Sequence, residues 1–466
     1  MTDRRADFVG KNAHILGMAR SGMSAAEVLM KIGASVTLHD QKDASLLGES
    51  LSWAKKLGFD VKCGSAAYEG IEDADFVVVS PGVPESSPGL TKARAAGVAI
   101  YPEIELAYRI SCAPIIAITG TNGKTTTTAL VGAMLRADGR TAHIAGNIVA
   151  GDIRLPLTMA ALDASPDDVI VAEISSFQLE SISTFKPKVS ALLNITGDHL
   201  DRYKDIDEYA RAKARIFEYQ DETDFAVVNP RDALVMQFAP KIRSQVWEFN
   251  RQSEVSRGTF LRGTEVWART DSGAEFVCDT SVMKLRGTHN LENVLAASAI
   301  VLAFGASKQC VGAALEQFAP PEHRLEPVAE LHGVEFLNNS MCTNVDASVR
   351  SLEAIGRPAV VIAGGKDKGL DYTRFGEAFR EYARHVVLIG VDAKIVEAAA
   401  LRAGFDSISH AASMEEAVEI AWRHAVSGDT VVLCPCCASF DMFKDFEDRG
   451  RVFKSAVRAL VAREAE

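Results

Sequence analysis

Short runs of Val, Ile, Leu and Ala recur along the chain, each closing on a turn and followed by a helical pattern. The runs are "HILG" (14–17), "SVTLHD" (35–40), "DFVVVSPG" (75–82), "IIAITG" (115–120), "VIVAEIS" (169–175), "VSALLNIT" (189–196), "FAVVNP" (225–230), "AVVIAGG" (359–365), "VVLIG" (386–390) and "TVVLCP" (430–435). Near-continuous apolar strands alternating with helices predict parallel sheets covered on both faces. Residues 244–285 differ: apolar and polar positions alternate between polar turns. That stretch predicts a small, partly antiparallel sheet.

The pattern also suggests boundaries. "ISCAPII" restarts a strand after an amphipathic helix, which puts a junction near Cys112. "FAPPEHRLEP" (318–327) carries three prolines after the helical run "LENVLAASAIVLAFG", which suggests a hinge near Pro320. Three α/β domains are expected, at 1–112, 113–320 and 321–466, all of ordinary domain size.

Composition narrows the chemistry. The chain has 466 residues, 47% apolar and 24% charged, with a formal charge of -12. Such an acidic chain makes a nucleic-acid backbone an unsuitable main partner, yet a local positive pocket can still hold a small anion. No run reaches the length of a membrane span, and "MTDRRADFVGKNAHIL" has no apolar signal core, so no membrane partner and a cytoplasmic location are expected. The eight cysteines are scattered except for "CPCC" at 434–437. Cys434 and Cys437 form a C-x-x-C, but a zinc site wants a second pair. Reduced, mostly buried thiols are the expectation.

The strongest local signal is "IAITGTNGKTTTTAL" (116–130), a strand, a glycine loop, one lysine and a helix opening on threonines. Over Gly120, Thr121, Asn122, Gly123, Lys124, Thr125 and Thr126 the glycines let main-chain N–H groups curl inward, and the helix N-terminus adds its dipole. Lys124 is placed to reach terminal phosphates, and the Thr125 hydroxyl to bind Mg²⁺. The strict phosphate-loop pattern is not met, because Ile118 stands where the first glycine belongs. ATP or GTP with Mg²⁺ is the expected ligand. The loop alone names no reaction, since kinases, NTPases and ligases share its physics.

Two other strand ends carry metal-binding chemistry. Glu173 closes "VIVAE" where open α/β sheets bind ligands, and its carboxylate suits a hard cation. "NITGDHLDRY" (194–203) brings Asp198 and His199 to the next strand end. Lys213, in the amphipathic helix "EYARAKARIF" (208–217), reads from its pattern as a solvated helix lysine.

The motifs "GTNGKTT", "EISSFQLE", "LNITGDHLDRY", "ARAKARIF", "GTHNLENVLAA", "EHR", "GGKDKG" and "CPCCASFDMFKDFEDRG", in this order over nearly the whole chain, resemble the Mur ligases. These are the ATP-dependent amide-forming enzymes of peptidoglycan precursor synthesis. Folylpolyglutamate synthases share the central loop but not the last motif. The resemblance implies a Rossmann-like UDP-binding domain, a central P-loop ATPase-like domain with a small extra β-sheet, and a C-terminal Rossmann-like domain. It is nearest to the members that join glutamate, most often D-glutamate, to UDP-N-acetylmuramoyl-L-alanine through an acyl phosphate. It further implies ATP, two Mg²⁺ ions and a monomer.

By resemblance, Lys124 holds the β- and γ-phosphates, Thr125 and Glu173 one Mg²⁺, and His199 the second. The lysine matching Lys213 is carbamylated in the family, which turns a cation into a metal ligand. Asn290 and Asn293 would contact adenine, Arg324 the phosphates, and Asn339 the nucleotide. The muramoyl-alanine end would meet Asn147, Ser175 and Gln178. The uridine end would meet Arg20, Ser21, Asp40 and the segment Ser80, Pro81, Gly82. Thr343 and Lys368 would hold the glutamate α-carboxylate, and Ser439 with the Phe446 main chain its side-chain carboxylate. Ser439 is expected near a helix N-terminus, which suits an anion.

Two features pull against this reading. "GMARSG" (17–22), with Asp40 closing the next strand, approximates a dinucleotide fingerprint and raises a nicotinamide-dependent oxidoreductase as a rival. Ala19 weakens it, since a methyl obstructs close approach to a pyrophosphate. Where the family usually reads "NDSKATN", this chain reads "NNSMCTN" (338–344), with Asn339, Met341 and Cys342 as departures. The substitutions leave ligation with L-glutamate as an alternative.

Overall fold

The computed structural model describes residues 4–147, 155–198, 202–283, 285, 287–319, 322–356 and 358–464. The hinge expected at Pro320 lies outside them. Two compact units emerge: one runs to Thr280 and takes in Val294–Leu315, the other comprises Ser281–Asn293 and Glu316–Glu466.

In the first unit, a five-stranded parallel sheet has the order Asp60–Cys63, Ser35–Asp40, Asn12–Leu16, Phe76–Val79, Ala99–Pro102. Chain direction across the sheet reverses beside Asn12–Leu16, which marks a ligand crevice above the strand ends at Gly17, Asp40 and Ser80. The helix Arg20–Ile32 begins very near that crevice. Gly22 permits it: a Cβ there would lie 2.0 Å from the Gly17 carbonyl oxygen.

The second sheet of this unit has nine strands. Its order is Ala142–Gly146, Val169–Glu173, Ile115–Thr119, Val189–Leu192, Phe225–Val228, Gln245–Asn250, Gly258–Arg262, Glu265–Thr270, Gly273–Asp279. Pairing is parallel from the first of these as far as Gly258–Arg262 and antiparallel beyond. The alternating stretch at 244–285 is partly antiparallel, as expected, but it is joined to the central sheet and is not an extra one. Gln245–Asn250 pairs with the open edge of Phe225–Val228, so the antiparallel strands extend the central sheet. An unpaired edge exposes a row of N–H and C=O groups, and extension satisfies them.

The junction expected at Cys112 is a change of sheet and not a break in packing. One apolar core runs from Ile15, Val28 and Leu29 through Leu106 and Ala107 to Leu157 and Ala160. Arg5 donates to the Ile110 carbonyl at 3.2 Å and the Leu162 carbonyl at 2.9 Å. Fully burying side chains such as Ile116 and Ile118 is worth roughly 2 kcal/mol each.

The second unit holds a six-stranded sheet, ordered Glu326–Leu331, Val334–Asn338, Thr430–Cys436, Ala359–Gly364, Ala383–Ile389, Ile408–His410. Only the first pair is antiparallel. Val361 and Ala363 enter the core on one face, Val360 and Ile362 the core on the other. That is the period-two reading of a strand covered on both sides. Among the described residues no helix is long and apolar enough to cross a membrane.

Candidate functional site

The glycine loop leaves the strand Ile115–Thr119 and enters the helix Lys124–Ala137. Gly123, at φ 83°, is the residue before the helix, a left-handed conformation that glycine adopts without strain. Main-chain donors and side chains are held from the next strand end. The Asn122 N–H donates to Asn194 Oδ1 at 2.8 Å, and Thr121 N–H to the Asn194 carbonyl at 2.9 Å. Lys124 Nζ folds back onto the carbonyls of Gly120 (3.0 Å) and Thr121 (2.8 Å).

Thr125 Oγ1 donates to Glu173 Oε2 at 2.8 Å, and both side chains are buried. Two hard oxygen donors at a strand end and helix start suit Mg²⁺. The helix Ile206–Ala214 brings Lys213 to the same place. Lys213 is 1% exposed, donates to the Gly120 carbonyl at 2.8 Å, and sits 4.6 Å over the Tyr209 ring. Burial, and then the charge of Lys124, hold its amine well below the usual lysine value, against the pull of Asp198 and Glu173. The solvated helix lysine read from the periodicity is thus corrected: Lys213 lies on the buried face. Residue 212 and residue 209 share that burial, and the charge of a lysine hid the same stripe.

Lys124, Thr125, Glu173, Asp198 and Lys213 thus converge. Thr126 follows in the first helical turn and is buried. His199 lies outside the described residues. Asn194 and Tyr209 are contacts that the sequence reading did not assign. Thr121 Oγ1 lies 3.4 Å from the Tyr209 hydroxyl. The strand-end position of Asn194 was the available signal.

A cavity of about 610 Å³ opens above the ends of the first sheet and reaches the central one. Arg20, Ser21, Asp40, Ser80, Pro81 and Gly82 line one side. Asn147 and Gln178 line the other. The volume is that of a site for a nucleotide-sized molecule. Asp40 also builds the wall, accepting from the N–H groups of Met18 and Lys42, each at 3.0 Å. Ser175 is not among the lining residues. It caps the short helix Ser176–Leu179 in a reciprocal box with Gln178. Lys42 and Tyr68 also line the cavity and were not anticipated.

The remaining candidates belong to the second unit. Asn293 Nδ2 donates to Asn290 Oδ1 at 2.9 Å. Asn339 donates to Ser351 Oγ at 2.9 Å and accepts from the Leu325 N–H at 3.2 Å, so its amide braces the strand end. The charge of Arg324 reaches His289 and Cys342. Lys368 Nζ donates to Thr343 Oγ1 at 3.1 Å, so the two residues expected at the glutamate α-carboxylate lie side by side. Ser439 is buried but does not start a helix. The helix begins at Phe446, seven residues later, where Asp445 Oδ1 accepts from the Asp448 N–H at 2.7 Å. Asp445 is the better cap, and a turn from Ser439 to Phe443 precedes it.

Comparison with known proteins gives a consistent result. Family profiles match in chain order: "Mur ligase MurD-like, N-terminal domain" at residues 11–102, "Mur ligase middle domain" at 118–301, and "Mur ligase, glutamate ligase domain" at 323–437. The chain is 42% identical to the UDP-N-acetylmuramoylalanine--D-glutamate ligase of Thermoanaerobacter sp. (strain X514), over 97% of this chain and 99% of that one. It is 41% identical to the ligase of the same name from Koribacter versatilis (strain Ellin345), over 98% and 99%. In fold it resembles the UDP-N-acetylmuramate-alanine ligase MurC of Thermotoga maritima, with TM-score 0.60 at 19% identity over 96% of this chain and 99% of that chain. It also resembles the Thermotoga maritima MurF ligase solved in complex with ADP, with TM-score 0.60 at 14% identity over 98% and 100%. These matches remove the support for a nicotinamide-dependent oxidoreductase.

Proposed function

We propose that this chain, which belongs to the Mur ligase family and is an ATP-dependent ligase, joins D-glutamate to the carboxylate of UDP-N-acetylmuramoyl-L-alanine. A carboxylate oxygen attacks the γ-phosphorus of ATP and ADP leaves, giving an acyl phosphate. The glutamate amine attacks the acyl carbon, loses a proton, and phosphate departs as the C–N bond forms. ATP thereby replaces oxide, a poor leaving group, with phosphate. The protein's part is positioning and charge neutralisation.

The observation that carries the reading is the convergence of Lys124, Thr125, Glu173 and buried Lys213 on one glycine loop. Lys124 leaves the loop carbonyls to hold the β- and γ-phosphates. Thr125 and Glu173 would hold one Mg²⁺; His199 and a carbamate on Lys213 would hold a second. The ions supply positive charge to the phosphate oxygens. Burial and the charge of Lys124 weaken the amine's hold on its proton, and the unprotonated amine adds to CO₂, releasing one proton and leaving a carboxylate-like group. Asn290, Asn293, Arg324 and Asn339 would contact the nucleotide. The cavity at Arg20, Ser21, Asp40, Ser80, Pro81, Gly82, Asn147 and Gln178 takes the UDP-sugar. Thr343 and Lys368 hold the α-carboxylate of glutamate, and Ser439 with the Phe446 main chain its side chain. The protein works as a monomer, with no nucleic-acid or membrane partner.

The test is phosphate release from MgATP and UDP-N-acetylmuramoyl-L-alanine with D- or L-glutamate supplied separately. Release with the D isomer alone supports the assignment. Release with only the L isomer transfers it to the alternative, and release with neither removes it.

A further inference from the structure

Three cysteines crowd the strand end beside the Thr343 loop: Cys342, Cys434 and Cys436, all buried. Two of them touch. The Cys434 thiol points at Cys342 Sγ at 4.0 Å, with Ser348 Oγ 3.1 Å from Cys342 Sγ. The Cys436 N–H donates to the Cys342 carbonyl at 3.0 Å, which ties the loop to the strand end and keeps the pair in register. Among the described residues no other thiol–thiol contact of this kind is present.

We propose that Cys342 and Cys434 are a modification site, closing to a reversible disulfide when the protein meets hydrogen peroxide. A disulfide needs its sulfurs about 2.0 Å apart, so the two must approach by about 2 Å. Side-chain rotation supplies part of this and movement of the loop the rest. The two thiols are chemically unequal. Burial raises Cys342, but hydrogen bonds from Cys434, Ser348 and Ser351 outweigh it and place the thiol below its usual value. Cys434 is held well above by its bond to Cys342 and by burial. Cys342 is also the less deeply buried of the two, 5% exposed against 0% for Cys434, so it is the sulfur that meets the peroxide. Its sulfur takes one oxygen from the peroxide, giving a sulfenic acid and one water. Cys434 then displaces that oxygen as a second water, and the S–S bond forms. Two thiols are oxidised by two electrons and one peroxide is reduced.

The site lies where it can act on substrate. Cys342 immediately precedes Thr343, whose hydroxyl meets Lys368. This consequence rests on the proposed placement of glutamate at Thr343 and Lys368. Drawing the loop toward the strand end displaces Thr343 by a fraction of that approach, for which we expect the KM for glutamate to rise by about tenfold.

The experiment treats the full-length protein with hydrogen peroxide, alkylates remaining thiols after denaturation, and maps cysteine peptides by mass spectrometry. The expected result is a Cys342–Cys434 cross-link, absent in Cys342→Ala and reversed by dithiothreitol. Both cysteines alkylated in oxidised wild type, or a cross-link at Cys436–Cys437 instead, overturns the proposal whatever the kinetics. Glutamate KM is measured on the same samples. A mapped cross-link with unchanged KM upholds the disulfide and removes the placement of glutamate beside it. An equal rise of KM in oxidised Cys342→Ala assigns the effect elsewhere and overturns the link to this pair.

Discussion

Lys213 in the first unit and Arg449 in the second are both basic side chains buried to 1% exposure, and both bond to main-chain carbonyls. Their fates differ because of the head group. Lys213 makes one hydrogen bond, to the Gly120 carbonyl, and burial beside Lys124 weakens its hold on its proton. Arg449 spreads its charge over three: Nε to Ser340 Oγ at 3.0 Å, one terminal nitrogen to the Cys437 carbonyl at 3.1 Å, the other to the Ser340 carbonyl at 2.8 Å. Burial lowers it only to about 10, so it stays charged. A planar fork with several donors remains a structural cation where a point charge becomes a reactive amine. The same burial thus makes a chemical group at one sheet and a brace at the other.

The sharpest way to break this contrast is at Lys213. Lys213→Ala is expected to lower phosphate release by about 10²- to 10³-fold, the scale of losing one preorganised charge contact. Formate or acetate should restore part of it by filling the place of a carbamate carboxylate. Lys213→Arg should be as inactive and show no rescue, since a guanidinium neither loses its proton nor leaves room. Rescue of the arginine variant would end the carbamate reading. Stability has a sign too. With the folded amine below its ordinary 10.5, the unfolded chain binds more protons in between. In CO₂-free buffer, stability should therefore rise as pH climbs toward 10.5. Lys213→Met should flatten that slope and raise Tm at neutral pH by a few degrees, read by calorimetry across pH.

The opposite result is expected at Arg449. Arg449→Met leaves two carbonyls and a hydroxyl buried without their donor, a loss of about 3 kcal/mol in urea unfolding of the second unit. Arg449→Lys should recover little, because one ammonium cannot span both the Ser340 and Cys437 carbonyls. A gain in stability on Arg449→Met, as for Lys213→Met, would erase the distinction between the two cations.

Sequence pattern carried these regions unequally. Central strands were legible because they are buried on both faces and read as unbroken apolar runs. Ser35–Asp40 and Val169–Glu173 coincide with runs identified from the sequence. Of the strands not anticipated, Asp60–Cys63, Ala99–Pro102, Ala142–Gly146, Glu326–Leu331 and Ile408–His410 lie at sheet edges, and Val334–Asn338 alone lies inside a sheet. Edge strands are half-exposed and need no continuous β-branched run, so their pattern resembles a loop. The loop and the Glu173 strand end were legible because phosphate and metal chemistry restrict residue type and spacing. Lys213 was not: its long charged side chain reads as solvated until the fold shows what covers it. Asn339 and Cys342 were visible as departures, yet their partners are not: Ser351 lies in the next helix, 12 residues on, and Cys434 is 92 residues along the chain.

The smallest effects separate structural caps from substrate contacts. Ser175 accepts from the Gln178 N–H, and Gln178 Oε1 accepts from the Ser175 N–H at 2.9 Å. Asn344 Oδ1 accepts from the Ala347 N–H at 2.8 Å and starts the helix Val345–Ile355. Each change to Ala should cost about 1 kcal/mol in chemical denaturation. Their kinetic signatures should diverge. Ser175 stands outside the cavity lining, so Ser175→Ala should leave the KM for the UDP-sugar unchanged. Asn344 holds the helix start directly after Thr343, so Asn344→Ala should raise the KM for glutamate while leaving the UDP-sugar KM alone. If Ser175→Ala instead raised the UDP-sugar KM at unchanged stability, the hydroxyl would face substrate, and the capping box would be its resting arrangement between turnovers.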